Sequence, residues 1–369
     1  MNVVVDQRKL PSTRQKLRFV DCDIHPSMRS PADLKPFLEK RWWDHLTRYG
    51  SHARQMYSDT IGYPRMTPAI ARNDAWPPGG APPGADLEFM RRQHLDHYDI
   101  EAGILMPLST RGPEQRNLDF GAAMCTALND WQKAAWLDPE PRLHGTILLP
   151  HEDAQAAVRE IERRASDRRF VGVQLSPRAS EPIGRRRYWP IFEAAQAADL
   201  PISMHQGGIG GHAVTGSGWV SYYFEEHHTN VQTLQSLVTS IVLEGVFERF
   251  PDLRWVIIEP GFAWVPPLAW RLDKLFERMR DEVPHLTMKP SDYIRRNIWF
   301  TTQPIDEPER PGDLEKVIEW IGYDRLMFST DYPHWDFDDP AHALNLKIPE
   351  AQRQRILRGN AIDFYKLAV

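Results

Sequence analysis

Phe19-Val20-Asp21-Cys22-Asp23-Ile24-His25 is a short apolar run of β type that ends in polar side chains. Seven further runs of the same kind follow it. They span Ala102 to Pro107, Leu143 to Pro150, Val171 to Pro177, Pro201 to His205, Leu253 to Glu259, Asn297 to Thr302 and Arg325 to Asp331. Near-continuous apolar strands are those buried on both faces, as in parallel sheets. Helical periodicity lies between several of them, over Ala154 to Arg164, Tyr188 to Ala198, Val231 to Phe250 and Leu314 to Ile321. This alternation implies an α/β protein with a helix-covered parallel sheet. Eight units favour closure into a (β/α)₈ TIM barrel over an open doubly wound sheet. No glycine-rich fingerprint follows the first run, which counts against a dinucleotide fold.

The chain has 369 residues, within reach of one barrel with insertions, and is read as a single domain over 1–369. Residues 1–18 read as an N-terminal extension. Two stretches break the rhythm. Arg41 to Arg92 is polar and rich in Pro and Gly, and Gln206 to His228 is rich in Gly, His and aromatics. Long irregular segments in a compact domain are usually functional or disordered. These two are expected as loop insertions after the first and fifth strands, over the face where barrel enzymes place their sites.

Charge and composition exclude several classes. The net charge is −5 with no basic stripe, so nucleic acid and anionic membranes are poor partners. No stretch reaches the roughly 18 apolar residues that a membrane span needs. Two cysteines, Cys22 and Cys125, make no disulfide framework and suit a reducing cytoplasm. Side chains i and i+2 of a strand share a face. Asp23 and His25 are therefore expected to point together into the barrel mouth, and Cys22 the opposite way, into the barrel–helix layer. His205 ends the fifth strand and Asp331 the eighth. A lone His or Asp is more often structural. Two imidazoles and two carboxylates at strand ends on one face make a site for one divalent metal.

Four elements carry a resemblance: Val-Asp-Cys-Asp-Ile-His-Pro (20–26), Met-His-Gln-Gly-Gly (204–208), Glu-Gly-Val-Phe-Glu-Arg-Phe-Pro-Asp-Leu (244–253) and Phe-Ser-Thr-Asp-Tyr-Pro-His (328–334). Together they resemble the amidohydrolase-related family, in the branch of aminocarboxymuconate-semialdehyde and γ-resorcylate decarboxylases. The resemblance implies a barrel with one zinc or manganese ion on Asp23, His25, His205 and Asp331. It also implies a homodimer, for which Trp42, Trp43 and Trp219 offer apolar surface. Asp23 in place of a histidine hardens the ligand set and tilts it toward manganese.

One position departs from that branch. Its members place a histidine at the end of the sixth strand as an acid–base group, and here the element reads Ile257-Ile258-Glu259-Pro260-Gly261. Glu259 is read as a second acid–base group beside Asp331, or as a carboxylate paired with an arginine such as Arg271. His334, just past Asp331, is a further catalytic candidate. His212 is a lid candidate, and His227 and His228 suit a helix start or a substrate contact. The preferred reaction is hydrolysis of a small cyclic or aromatic substrate by metal-activated water. The alternative is non-oxidative decarboxylation of an aromatic or unsaturated acid. A non-catalytic metal-binding barrel is the third reading.

Overall fold

A computed structural model describes residues 18–51, 68–108, 112–207, 213 and 215–369. Eight strands form one parallel sheet in sequence order: β1 (Phe19–Ile24), β2 (Ile100–Leu105), β3 (Leu143–Leu148), β4 (Phe170–Leu175), β5 (Ile202–His205), β6 (Trp255–Ile258), β7 (Ile298–Thr301) and β8 (Leu326–Met327). Each strand lies inside an apolar run named above or within two residues of it. The sheet curls until its ends meet. Cys22 N donates to Phe328 O at 3.0 Å, and His25 N donates to Tyr332 O at 2.8 Å. The result is a (β/α)₈ barrel whose β1–β8 seam is closed by these bonds.

Helices start where local chemistry supplies caps. Asp153 accepts from Gln155 N and Ala156 N at the head of Ala154–Arg164, and Asn117 caps Leu118–Gln132. Proline opens or closely follows the start of four others, at Trp189–Ala197, Val265–Met279, Pro290–Asn297 and Pro311–Ile321. Their inner faces join one large cluster with the outward residues of the strands, including Trp255, Phe192, Phe250 and Ile318. Among the described residues no helix is long and apolar enough to cross a membrane.

Three expectations need correction. The run Val231 to Phe250 is not one helix. The helix begins earlier, spans Tyr223–Leu243, and stops before Gly245, whose φ is 78°. A side chain there would also meet the His285 ring. The described part of Arg41 to Arg92 is not loop throughout. It holds the helix Lys40–Tyr49, and Trp42 and Trp43 pack against the barrel's own core. Finally, Cys22 does not lie in the layer between strands and surrounding helices. It joins Val20, Ala102, Ile104, Val256, Ile258 and Met327 in a cluster that Ala361, Phe364 and Tyr365 of the last helix, Asn360–Tyr365, also enter. Residues from strands on different sides of a barrel can meet only in its interior. The cause is an irregular register in β1, where Asp21 pairs with Gly103 but Ile24 with Leu105. One extra residue on β1 breaks the simple alternation.

Candidate metal centre

Five side chains converge at the C-terminal mouth: Asp23, His25, His205, Glu259 and Asp331. Each offers one ligand atom, and all these atoms lie within 4.8 Å of one another. All five are buried, none more than 5% exposed. The four residues expected as ligands from β1, β5 and β8 are therefore brought together. Glu259 joins them through neither an arginine nor a remote role. Its Oε2 lies 2.6 Å from His205 Nε2, and its Oε1 accepts from Gln206 Nε2.

Two backbone carbonyls fix which nitrogen each imidazole presents. His25 Nδ1–H donates to Met106 O at 2.7 Å, and His205 Nδ1–H to Gln206 O at 2.6 Å. A carbonyl only accepts, so Nδ1 carries the hydrogen in both rings. In the neutral rings each Nε2 is then a lone pair aimed at carboxylate oxygens. His25 Nε2 is 2.7 Å from Asp331 Oδ1 and 3.2 Å from Asp23 Oδ1. His205 Nε2 is 3.4 Å from Asp23 Oδ2. Lone pair facing lone pair is repulsive unless a cation sits there. Both Asp23 oxygens and His205 Nε2 are buried without a hydrogen-bond partner. The donor set thus fits a divalent ion.

In the ion-free protein, protons take the cation's place. Burial alone would lower His25, but Asp23 and Asp331 carry it up to about 10. His205 is raised likewise by Asp23 and Glu259 against its burial. Asp331 is pushed up by burial and by the adjacent Glu259 charge, against His25. His334 is driven down by burial and by His25, whose ring it stacks against at 4.3 Å. His334, the further catalytic candidate, places Nδ1 2.6 Å from Asp331 Oδ1.

A second group flanks the first. His227, in the first turns of Tyr223–Leu243, places Nε2 3.2 Å from Asp336 Oδ2 and 3.9 Å from Glu259 Oε1. The Asp336 contact raises the His227 pKa. Gln303 Nε2 links Asp331 Oδ2 at 3.3 Å to Asp336 Oδ2 at 3.2 Å. His228 is exposed, and His212 lies outside the described residues. Behind β1, Asp21 accepts from Thr330 N and Thr330 Oγ1 and contacts His94 Nε2 at 2.7 Å, tying β1 to β8. Sequence reading missed Asp336, Gln303 and the Asp21–His94 pair. Only Asp336 had a local signal, five residues past Asp331. Beside His205 opens a cavity of about 220 Å³, bordered by Ile70, Pro107, Leu148 and Gln174. It is small for a ligand pocket, which suits a compact substrate.

Comparison with known proteins agrees with this architecture. The amidohydrolase family matches residues 20–367. A γ-resorcylate decarboxylase of Polaromonas sp. (strain JS666) is 30% identical over 304 residues, covering 76% of this chain and 88% of the relative. The 2-keto-4-carboxy-3-hexenedioate hydratase of Sphingobium sp. is 23% identical over 239 residues, covering 58% and 63%. The crystal structure of a dihydroxybenzoic acid decarboxylase from Polaromonas sp. JS666, with bound manganese and 2-nitroresorcinol, superposes with TM-score 0.66. It is 22% identical and covers 96% of this chain and 98% of that one.

Proposed function

This chain belongs to the amidohydrolase family, and from that premise we propose that it decarboxylates a small aromatic or unsaturated carboxylic acid without oxidation, with one divalent ion on Asp23, His25, His205 and Asp331. The observation that carries the reaction is the likeness to γ-resorcylate decarboxylase over most of that relative's length. It favours the carboxy-lyase over the hydrolysis first expected. The ion is zinc or manganese, and when bound it supplies positive charge for a substrate carboxylate and its neighbouring oxygen.

The chain's own residues supply the rest. The C–CO₂ bond breaks, its electron pair stays on carbon, and a proton must replace the lost group. Asp331 and His334 hold one proton between Oδ1 and Nδ1 at 2.6 Å, next to the ligand cluster. His227 brings an imidazole to Glu259 from the helix Tyr223–Leu243, where β6 itself ends in a carboxylate. The Asp336 contact raises that imidazole's pKa, which favours its protonated, donating form. Ile70, Pro107 and Leu148 give an apolar border against which a ring can lie.

One observation favours a second reading. Glu259 is a carboxylate where the decarboxylase branch carries histidine, and an anionic group is a better base toward water than an acid toward carbon. That reading is hydrolysis or water addition, with Glu259 or Asp331 taking the proton of water. Manganese-loaded protein incubated with 2,6-dihydroxybenzoate and a panel of hydroxybenzoates separates the two. Carbon dioxide released in step with the decarboxylated ring supports the lyase. Uptake of ¹⁸O from labelled water into lactone, amide or enoate substrates, with no carbon dioxide from any acid, supports the second.

Assembly and place belong to the same proposal: a homodimer in the cytoplasm. Trp219, Tyr222 and Phe224 are exposed and adjacent in sequence, and give it an apolar contact. Trp42 and Trp43 pack against the barrel's own core and are half-buried. Sedimentation showing a monomer at micromolar concentration rules the dimer out.

A further inference from the structure

We infer that Glu259 is a fifth ligand of the same ion, so that the centre holds three carboxylates and two imidazoles. The inference deepens the proposed metal site and rests on it. Its ground is a repeated geometry. Asp331 Oδ1 faces His25 Nε2 at 2.7 Å, and Glu259 Oε2 faces His205 Nε2 at 2.6 Å. In each pair a carbonyl holds the histidine's Nδ1–H, so the neutral ring turns its Nε2 lone pair on the carboxylate. The argument that makes Asp331 a ligand beside His25 applies unchanged to Glu259 beside His205.

The Glu259 carboxylate is also oriented. Gln206 Nε2 donates to Oε1, which leaves Oε2 directed at the point shared by His205 and Asp23. The backbone is pinned as well, since Glu259 N donates to Thr301 Oγ1 at 3.1 Å. With Glu259 5% exposed, an uncompensated anion there would be costly. A dication among Asp23, Glu259 and Asp331 compensates all three. Hard oxygen donors in the majority favour manganese relative to zinc. Glu259 would then set metal selectivity, and its departure from histidine would be a change in the ion's environment before it is a change in acid–base chemistry.

The test is metal binding, read without any substrate. Glu259→Gln keeps the shape and removes the charge. Manganese affinity should fall at least ~10-fold, and in a manganese–zinc competition the loaded ratio should move toward zinc. Glu259→His should move it further. A Glu259→Gln protein with wild-type manganese affinity and an unchanged ratio overturns the inference. Should the variants fail to fold, the manganese-loaded wild-type crystal decides. A Glu259 oxygen within about 2.5 Å of the ion is expected, and one held beyond it by an intervening water refutes the assignment. Absence of carbon dioxide release would sink the proposed reaction and leave these measurements standing.

Discussion

Glu259, just past β6, and Asp331, four residues past β8, share the same left-handed backbone, φ 65° at each. Neither is glycine, so each position stores on the order of 1 kcal/mol or more of conformational strain, a pattern common where a fold aims a functional side chain. Asparagine tolerates this backbone. Asp331→Asn therefore keeps the geometry while removing a charge that burial and Glu259 disfavour. Its ion-free form should melt at the wild-type temperature or above it, while ion affinity falls ~10- to 100-fold. A lower melting temperature in the presence of chelator would contradict this.

His205→Ala removes an imidazole that no neighbouring strand can replace. Elemental analysis should find most of the ion gone, and activity with it. Full occupancy in that variant would show that His205 is no ligand.

His227 touches Asp336 and approaches Glu259 without entering the main ligand cluster. His227→Asn should keep the wild-type metal content and lower kcat by ~10²-fold, as removal of a positioned acid–base group does. An unchanged kcat with a raised KM would instead make it a substrate contact.

His144, on β3, lies away from the mouth and provides a pH readout of the fold alone. Burial lowers its pKa to about 4 from the ordinary 6.5. The folded state holds it neutral, so its contribution is intact above the ordinary value and is lost as pH falls from there toward 4. The loss should approach about 3 kcal/mol by pH 4. His144→Leu should flatten the decline in stability between pH 6.5 and 4. An unaltered slope in urea titrations would exclude that role.

The barrel was legible because parallel strands buried on both faces must be apolar along their whole length, and each of the eight announces itself locally. Asp23, His25, His205 and Asp331 were legible for a related reason, since each sits at or just past the C-terminal end of such a strand. Cys22 was misplaced because the register shift in β1 arises from pairing with β2, not from β1's own pattern. The helix Tyr223–Leu243 begins two turns before its apolar periodicity does. Those turns overhang the mouth, where His227 meets Asp336, and so they carry no core-facing stripe. Gln303 and the Asp21–His94 pair act across β7, β8 and β1, and only the closed barrel sets such distances.

The His25–Asp331 contact joins residues 306 positions apart, across the seam where the barrel's first and last strands meet. The first strand leaves the ribosome with two donors and nothing to complete them. A growing chain can gather Asp23, His25, His205 and Glu259, yet it lacks the last carboxylate until β8 is made. On the proposed ligand set, the ion site therefore cannot be completed before the segment carrying Asp331 has been made. A product truncated after β7 lacks the β1–β8 seam and the carboxylate of Asp331, however well its earlier strands fold.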